Sequence, residues 1–350
     1  MDITKFNKEL KKINTNSYQY GNEILYSMAH DPCCLIDQDR LTGALWIIGR
    51  AYAASPQRRS YGTIKEDVGY VNTAGKTIAT HPIWPVRSSN DGREGFFDAL
   101  ADTLCADSDY HNLFTTCTNL AATYEYDRSE VDLGKLTSSI LSVLKFNLIL
   151  SDAIEAFDKV PSVHSFKGYG VSCSNHLSFS SKFLHFHFPA RVFIIDNFAR
   201  EGGNLLFGGK KDEKPLALYE ATSTDKFDHT VFSAFPKEDV TQLYNKICSQ
   251  KNVQIVLEVY EKRTRVPNST SNDTSSAKDY IKHCVRSYLL GKHIKGQVGE
   301  APINQIKYGG RALSSMPRWT DAILLNVKAP LSKAEEDHLA SVANIYGIVY

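Results

Sequence analysis

The segment LSFSSKFLHFHFPARVFIIDNFAR, residues 177–200, decides how the fold of this chain is interpreted. Serines open it and an apolar run with helical periodicity follows them, which predicts a helix with one serine as its N-cap. Pro189 then ends the helix, and the apolar, largely β-branched run 192–195 leads to Asp196. The segment therefore predicts a helix, a turn, a short extended run and a second helix that opens after Asp196.

Lys182 falls in the first turn of the predicted helix, whose N-cap is Ser178, Ser180 or Ser181. The partial positive charge of a helix N-terminus disfavours the ammonium form of a lysine there, and burial acts in the same direction. A neutral amine is a nucleophile that forms a Schiff base with a carbonyl-like carbon. Lys182 is therefore a candidate nucleophile, and the alternative is an ordinary exposed lysine at the start of a helix.

Asp196 has two interpretations. An aspartate that opens a helix is a good N-cap. A carboxylate held beside a reacting sugar would instead stabilise an oxocarbenium-like transition state or activate a nucleophile. Only fourteen residues separate Asp196 from Lys182, and a chain that reverses at Pro189 brings both side chains to one cleft.

This order of lysine, apolar helix, proline, apolar run and aspartate resembles the helix-hairpin-helix DNA glycosylases, above all the 8-oxoguanine glycosylase branch. The pattern S-K-F-L-H-F…P…F-I-I-D is similar to that branch around its catalytic pair. Residues 49–55, followed by Arg58 and Arg59, resemble an N-terminal helix of the same proteins. The resemblance covers scattered pieces between residues 40 and 200, and the hairpin positions 177–181 lack the glycines usual in the family.

The resemblance implies a DNA glycosylase that flips a modified base out of double-stranded DNA and excises it, with or without strand cleavage. Base-excision repair or bacterial defence against phages with hypermodified bases would be its setting. Lys182 would attack the anomeric carbon and Asp196 would assist, without a cofactor or a metal. The residues expected to contact DNA are Ser178, Phe179, Ser180, Ser181, Arg50, Arg58 and Arg59.

Composition sets the limits of this interpretation. The 350 residues are 42% hydrophobic and 23% charged, which is typical of a soluble globular protein and excludes a rod or a disordered chain. No apolar run approaches the roughly 20 residues that span a bilayer. The lysine-rich start has no secretory signal, and seven irregularly spaced cysteines without a C-x-x-C pair predict free thiols in the cytoplasm.

The chain is predicted to be mainly α-helical, with a smaller α/β part at its C-terminus. The expected units are a helical glycosylase-like domain over 1–266, a small and polar linker over 267–277, and a basic α/β extension over 278–350. Between residues 278 and 318 eight Lys or Arg stand against two acidic residues, a local charge of +6. Such a block is either a solvated face or a phosphate-binding surface.

Local patterns place the elements within these units. Helical periodicity covers 37–55, 95–106 and 136–157, and glycines and prolines predict loops over 61–93 and 202–215. In the C-terminal extension, strands are predicted over 319–327 and 346–350 and a helix over 331–344.

Other kinds of site compete with the amine and the carboxylate. His185 and His187, with His176 and Cys173 nearby, could bind a metal, although residues two apart on a helix point about 200° apart. The glycine-rich residues 208–211 lack the Ser or Thr of a phosphate-binding P-loop. A nuclease that uses carboxylates and a metal is disfavoured, because no clustered pair of Asp or Glu stands out in the sequence. A non-catalytic DNA-binding or defence adaptor remains the main alternative function.

Overall fold

The structure, a computed structural model, describes residues 36–51, 96–120, 131–158, 176–207, 237–263, 273–298 and 315–324, the last range without 318, 319 and 322. These residues are mostly helical and contain no strand, which confirms the predicted mainly α fold for this part of the chain.

Besides helical residues between 316 and 324, nine helices with defined bounds occur within these ranges. They are α1 Gln38–Ala51, α2 Phe96–Ala106, α3 Ser108–Leu120, α4 Leu133–Asp158, α5 Leu177–His187, α6 Asn197–Phe207, α7 Lys237–Cys248, α8 Lys251–Arg263 and α9 Asp273–Val298.

The helices predicted over 95–106 and 136–157 are confirmed as α2 and α4, and that over 37–55 as α1 up to Ala51.

Aspartates cap helices α1, α3 and α4 in the same way. Asp37, Asp107 and Asp132 each accept, through Oδ1, a hydrogen bond from the main-chain N–H three residues later, at 3.0, 2.9 and 2.7 Å. Each bond satisfies a donor that the helix leaves unpaired, which explains why the helices begin there.

Helix α4 occupies the centre of the described structure and packs against α2, α3, α5, α8 and α9. Its stretch Leu133–Ile154 is the one described segment long and apolar enough to cross a membrane, so the prediction that no apolar run approaches that length is wrong here. Within that stretch, 56% of the most apolar 18-residue window is buried inside the protein, and a core helix has the same length and composition.

Aromatic rings join α5 to this central helix. The ring of Phe183 stacks on that of Phe146 with the centroids 4.9 Å apart, and Phe114 of α3 meets both rings edge-on at 6.2 Å. Each fully buried phenylalanine contributes about 1.5–3 kcal/mol of transfer free energy. This cluster fixes the position of the helix that carries Lys182.

Helix α9 begins at Asp273, inside the stretch predicted to be a linker, and packs against α4, α5, α6, α7 and α8. Ala277, Tyr280 and Ile281 are fully buried in the same core. The linker predicted over 267–277 is therefore wrong from Asp273 onward, where the chain is helical, and the division of the chain into units stays a prediction. Small polar residues suit the first turn of a helix as well as they suit a linker, and the sequence pattern does not distinguish the two.

Two further predictions differ from the structure. Thr320, Asp321, Ile323 and Leu324 are helical, so the strand predicted over 319–327 is wrong at these residues. The loop predicted over 202–215 is helical as far as Phe207. Residues 61–93, 208–215 and 325–350 lie outside the described residues.

The position of Gly202 explains why glycine occurs inside helix α6. A Cβ atom at this residue would overlap the main-chain carbonyl of Leu324. Only glycine allows the two backbones to approach so closely, and the residue that suggested a loop is instead a packing contact.

Candidate active site

Helix α5 begins earlier than the sequence predicts. Its first residue is Leu177 and its N-cap is His176, whose side chain makes no capping hydrogen bond. The serines that were predicted to cap the helix lie inside it, and that prediction is wrong. Leu177 and Phe179 are both buried in the core, which favours a helix that includes them.

The DNA-contacting hairpin that the resemblance implies at Ser178, Phe179, Ser180 and Ser181 is also helical. Phe179, Ser180 and Ser181 are fully buried, and Ser178 is partly exposed. The ring of Phe179 stacks against that of Phe183 with the centroids 6.3 Å apart. Three of the four side chains therefore offer no surface to DNA, and the expectation that they contact it directly is wrong.

Lys182 and Asp196 lie next to each other. Nζ of Lys182 is 3.9 Å from Oδ2 of Asp196, and the two side chains are 8% and 20% exposed. Lys182 is in the second turn of α5, not the first, where the field of the helix N-terminus is already weak. The fold thus brings together the two residues that were predicted to share a cleft, and each keeps some contact with solvent.

Asp196 is also the N-cap of α6. Its Oδ1 accepts a hydrogen bond of 2.7 Å from the main-chain N–H of Ala199, and its carbonyl oxygen accepts one of 3.0 Å from Arg200. The N-cap interpretation is confirmed. Because the cap uses Oδ1 while Oδ2 faces Lys182, the carboxylate can serve both roles.

Ser181 sets the spacing between the two residues. Its Oγ accepts a hydrogen bond of 3.1 Å from the main-chain N–H of Ile195. Ser181 directly precedes Lys182, and Ile195 directly precedes Asp196. A single buried bond therefore ties together the two main-chain segments that carry the amine and the carboxylate.

The histidines of α5 donate to different main-chain carbonyls. His185 Nδ1–H donates to Val192 O at 2.7 Å, and His187 Nδ1–H donates to Phe183 O at 2.8 Å. The two imidazoles thus serve separate parts of the chain. Among the described residues, no group of three or more His, Cys, Asp or Glu is placed to hold a metal ion.

Helix α9 supplies two more contacts that the sequence analysis missed. The Tyr280 hydroxyl donates to Phe193 O at 3.1 Å, and His283 Nε2–H donates to Ile194 O at 2.7 Å. The partners are 87 and 89 residues apart, so no local pattern connects them. The available signal was the helical spacing of apolar residues beyond position 277, which marks the helix but not its target.

The described part of the basic block lies on α9. Lys278, Lys282 and Lys292 are exposed, whereas Arg286 is only 5% exposed. Arg286 Nη1 donates to Asn204 Oδ1 at 2.6 Å, and burial lowers the pKa of the guanidinium. The three lysines therefore form an exposed basic face of α9, whereas Arg286 is packed inside the protein.

The N-terminal arginines contribute no described side chain to this site. Arg50 lies in the last turn of α1, but its side chain is outside the described part of the structure. Arg58 and Arg59 lie outside the described residues altogether. Their role in DNA binding stays a prediction.

The described residues thus define a helical protein with a largely buried amine and a partly exposed carboxylate at the boundary of two helices. Comparisons of this chain with family models, with curated proteins and with solved structures gave no match. The proposed activity therefore depends on the geometry of the site and on the resemblance of its sequence pattern.

Proposed function

We propose that this chain is a DNA glycosylase that excises a modified nucleobase from double-stranded DNA, with Lys182 as nucleophile and Asp196 as assisting carboxylate. The observation that supports it most is the 3.9 Å distance between Nζ and Oδ2 at a position that keeps contact with solvent. An amine and a carboxylate at this separation are the two groups that covalent base excision requires.

The proposed reaction begins when the base is flipped out of the stack and C1′ of its sugar reaches Lys182. As the bond from C1′ to the base breaks, the negative charge of Asp196 stabilises the oxocarbenium-like transition state. Nζ transfers a proton to the carboxylate of Asp196 and, as a neutral amine, forms a bond to C1′, after which a second proton passes from the nitrogen to the departed base. The C1′–O4′ bond of the sugar ring then breaks, O4′ takes the proton held by Asp196, and the lone pair of Nζ forms the C1′=N double bond of a Schiff base. Water hydrolyses the resulting Schiff base to leave an abasic site, or β-elimination from it cleaves the strand.

The way in which Asp196 is held supports this role. The cap bond to Ala199 and the bond between Ser181 and Ile195 restrain the carboxylate before any substrate arrives. A charge fixed in advance stabilises a transition state without reorganisation at the moment of reaction. Proton transfer needs a separation of roughly 2.6–3.2 Å, to which such pairs commonly tighten when substrate binds.

DNA would lie along the exposed basic face of α9. Lys278, Lys282 and Lys292 can neutralise backbone phosphates there. The protein would act in the cytoplasm without a cofactor, in base-excision repair or in defence against phages with modified bases.

The first experiment incubates the protein with genomic DNAs of different modification states and identifies any released base by mass spectrometry. On the DNA that yields a base, borohydride should trap a covalent adduct with the wild-type protein but not with Lys182→Gln. Lys182→Arg is the matched variant, since it keeps a cation beside Asp196 and loses the nucleophilic amine. Trapping that persists in both variants would exclude Lys182 as the nucleophile.

Asp196→Asn tests the carboxylate without removing the cap, because asparagine caps helices about as well as aspartate. We expect base release to slow by roughly 10²–10⁴-fold while DNA binding is retained. Asp132→Asn makes the same change at the N-cap of α4 and should leave the rate unaltered. Equal rates for Asp196→Asn and wild type would mean that Asp196 is only a cap.

A non-catalytic DNA-binding adaptor is the second candidate, and the exposed lysines of α9 favour it as much as they favour an enzyme. It predicts salt-dependent DNA binding that Lys182→Gln and Asp196→Asn leave unchanged, with no base released from any DNA.

A further inference from the structure

Residues 192–195, before Asp196, are neither helix nor strand, and their main-chain groups are bonded by side chains from helices. From α9, the Tyr280 hydroxyl reaches the carbonyl of Phe193 and His283 Nε2–H reaches that of Ile194. These bonds satisfy carbonyls that a neighbouring strand would satisfy in a sheet. Both partners are buried, so water does not compete with the bonds.

The bonds from α9 lie on the side of Asp196 that its cap does not restrain. The cap to Ala199 restrains the carboxylate from the side of α6, whereas Ile194 is only two residues before it on the other side. Only Ile195 lies between Ile194 and Asp196, so few rotatable bonds are available to absorb a displacement of Ile194 before it reaches Asp196.

The distance between the amine and the carboxylate leaves little tolerance for such a displacement. At 3.9 Å the pair is already near the outer limit of an ion pair. A misplacement of about 1 Å at a reacting group can reduce a rate by roughly 10²-fold.

The chemical state of His283 suits a residue that positions Asp196 without neutralising it. Its pKa is lowered to about 4, mainly by burial, while the hydrogen bond to Ile194 and the carboxylate of Asp196 oppose the shift and Arg286 and Arg200 add to it. The imidazole is therefore neutral near pH 7. A cation at this place would compete with Lys182 for the carboxylate.

We propose that Tyr280 and His283 of α9 are positioning residues that keep Asp196 within reach of Lys182. The inference extends the proposed function, because it makes α9 part of the site and not only a basic face for DNA. Neither residue touches the substrate in this scheme, and both act through the run that ends at Asp196.

Tyr280→Phe and Tyr260→Phe form a matched pair of tests. Both tyrosines are fully buried and both hydroxyls donate to a main-chain carbonyl, that of Tyr260 to Leu144 in α4 at 2.9 Å. The Tyr260 hydroxyl also accepts a bond of 2.9 Å from Asn147 Nδ2, so Tyr260→Phe removes at least as much hydrogen bonding as Tyr280→Phe. Both variants should lower the urea midpoint of unfolding. Only Tyr280→Phe should slow single-turnover base release, by about tenfold or more, with DNA affinity unchanged. If the two variants slow the reaction equally, the positioning role is refuted.

His283 is tested by a loss and a rescue. His283→Leu removes the donor to Ile194 and should slow single-turnover base release, whereas His283→Gln keeps an N–H donor and should recover most of the rate. If His283→Gln is as slow as His283→Leu, the side chain acts through packing and not through the hydrogen bond.

A readout that does not need activity separates this inference from the proposed function. Reductive methylation followed by peptide mass spectrometry gives the rate at which Lys182 reacts, relative to the exposed Lys282. Tyr280→Phe should raise that ratio severalfold, towards the value for Asp196→Asn, and Tyr260→Phe should not. If the wild type releases no base from any DNA but the ratio behaves as expected, the proposed function fails and the positioning role remains. An unchanged ratio in Tyr280→Phe would overturn the positioning role.

Discussion

Three histidines buried in the core should make this protein sensitive to mild acid. Burial lowers the pKa of His176, His187 and His283 from 6.5 to about 4. Between these two pH values an unfolded chain binds protons at these positions and the folded protein does not. The three histidines therefore do not reduce the free energy of unfolding above pH 6.5. They reduce it progressively as the pH drops from 6.5 towards 4, and below pH 4 they reduce it no further.

The size of the effect follows from the same values. A pKa of about 4 in the folded protein, against 6.5 in an unfolded chain, corresponds to on the order of 3 kcal/mol for each histidine. Three such groups together rival the whole stability of a typical domain, which is about 5–15 kcal/mol. We therefore expect unfolding to set in above pH 4.

His187→Phe isolates one of these contributions. The imidazole centroid lies 4.7 Å from that of Phe183 and 6.2 Å from that of Phe114, so a phenyl ring suits the same aromatic surroundings. Losing the hydrogen bond to Phe183 O costs about 1 kcal/mol at every pH. That loss lowers the free energy of unfolding by the same amount at every pH, so it does not change how steeply this free energy depends on pH.

The assay is urea unfolding, followed by circular dichroism between pH 7.5 and 4.5. Between these pH values His187→Phe should lose on the order of 3 kcal/mol less stability than the wild type. Curves with the same slope for both proteins would mean that His187 is accessible to protons in the folded state, and the argument from burial would be refuted.

Two further predictions concern packing and thiol reactivity. Gly202→Ala should destabilise the protein strongly in thermal unfolding, because its Cβ would overlap the Leu324 carbonyl. Gly296→Ala is the control, at an exposed helical position where a Cβ would have nothing within 4 Å, and it should stabilise the protein by up to about 1 kcal/mol. If both variants change the thermal stability equally, the close contact at Gly202 is refuted. Burial raises the pKa of the Cys284 thiol to about 12, so iodoacetamide should alkylate Cys284 only after the protein unfolds. Peptide mass spectrometry measures this labelling. Rapid labelling of Cys284 in the native protein would contradict its burial.

The sequence predicted those parts of the fold whose causes are local. Helices α1, α2 and α4 show apolar periodicity in the sequence, and α1 and α4 begin after a capping aspartate. The proximity of Lys182 and Asp196 was also predictable, because a turn at Pro189 reverses a short piece of chain.

The parts that could not be predicted depend on distant residues. Serines near the start of α5 look like caps, but the burial of Leu177 and Phe179 extends the helix past them. The polar stretch before Ala277 looks like a linker, but the buried face of α9 carries the helix back into it. The contacts of Tyr280 and His283 with the run before Asp196 have no counterpart in local sequence.

The dependence of the run before Asp196 on α9 has a consequence for synthesis on the ribosome. A nascent chain that has emerged only as far as residue 266 already contains both Lys182 and Asp196, yet it lacks the tyrosine and the histidine that hold the intervening carbonyls. If Tyr280 and His283 position Asp196 as proposed, the amine and the carboxylate reach their final arrangement only after α9 has left the exit tunnel, and a truncated product would carry both groups without that alignment.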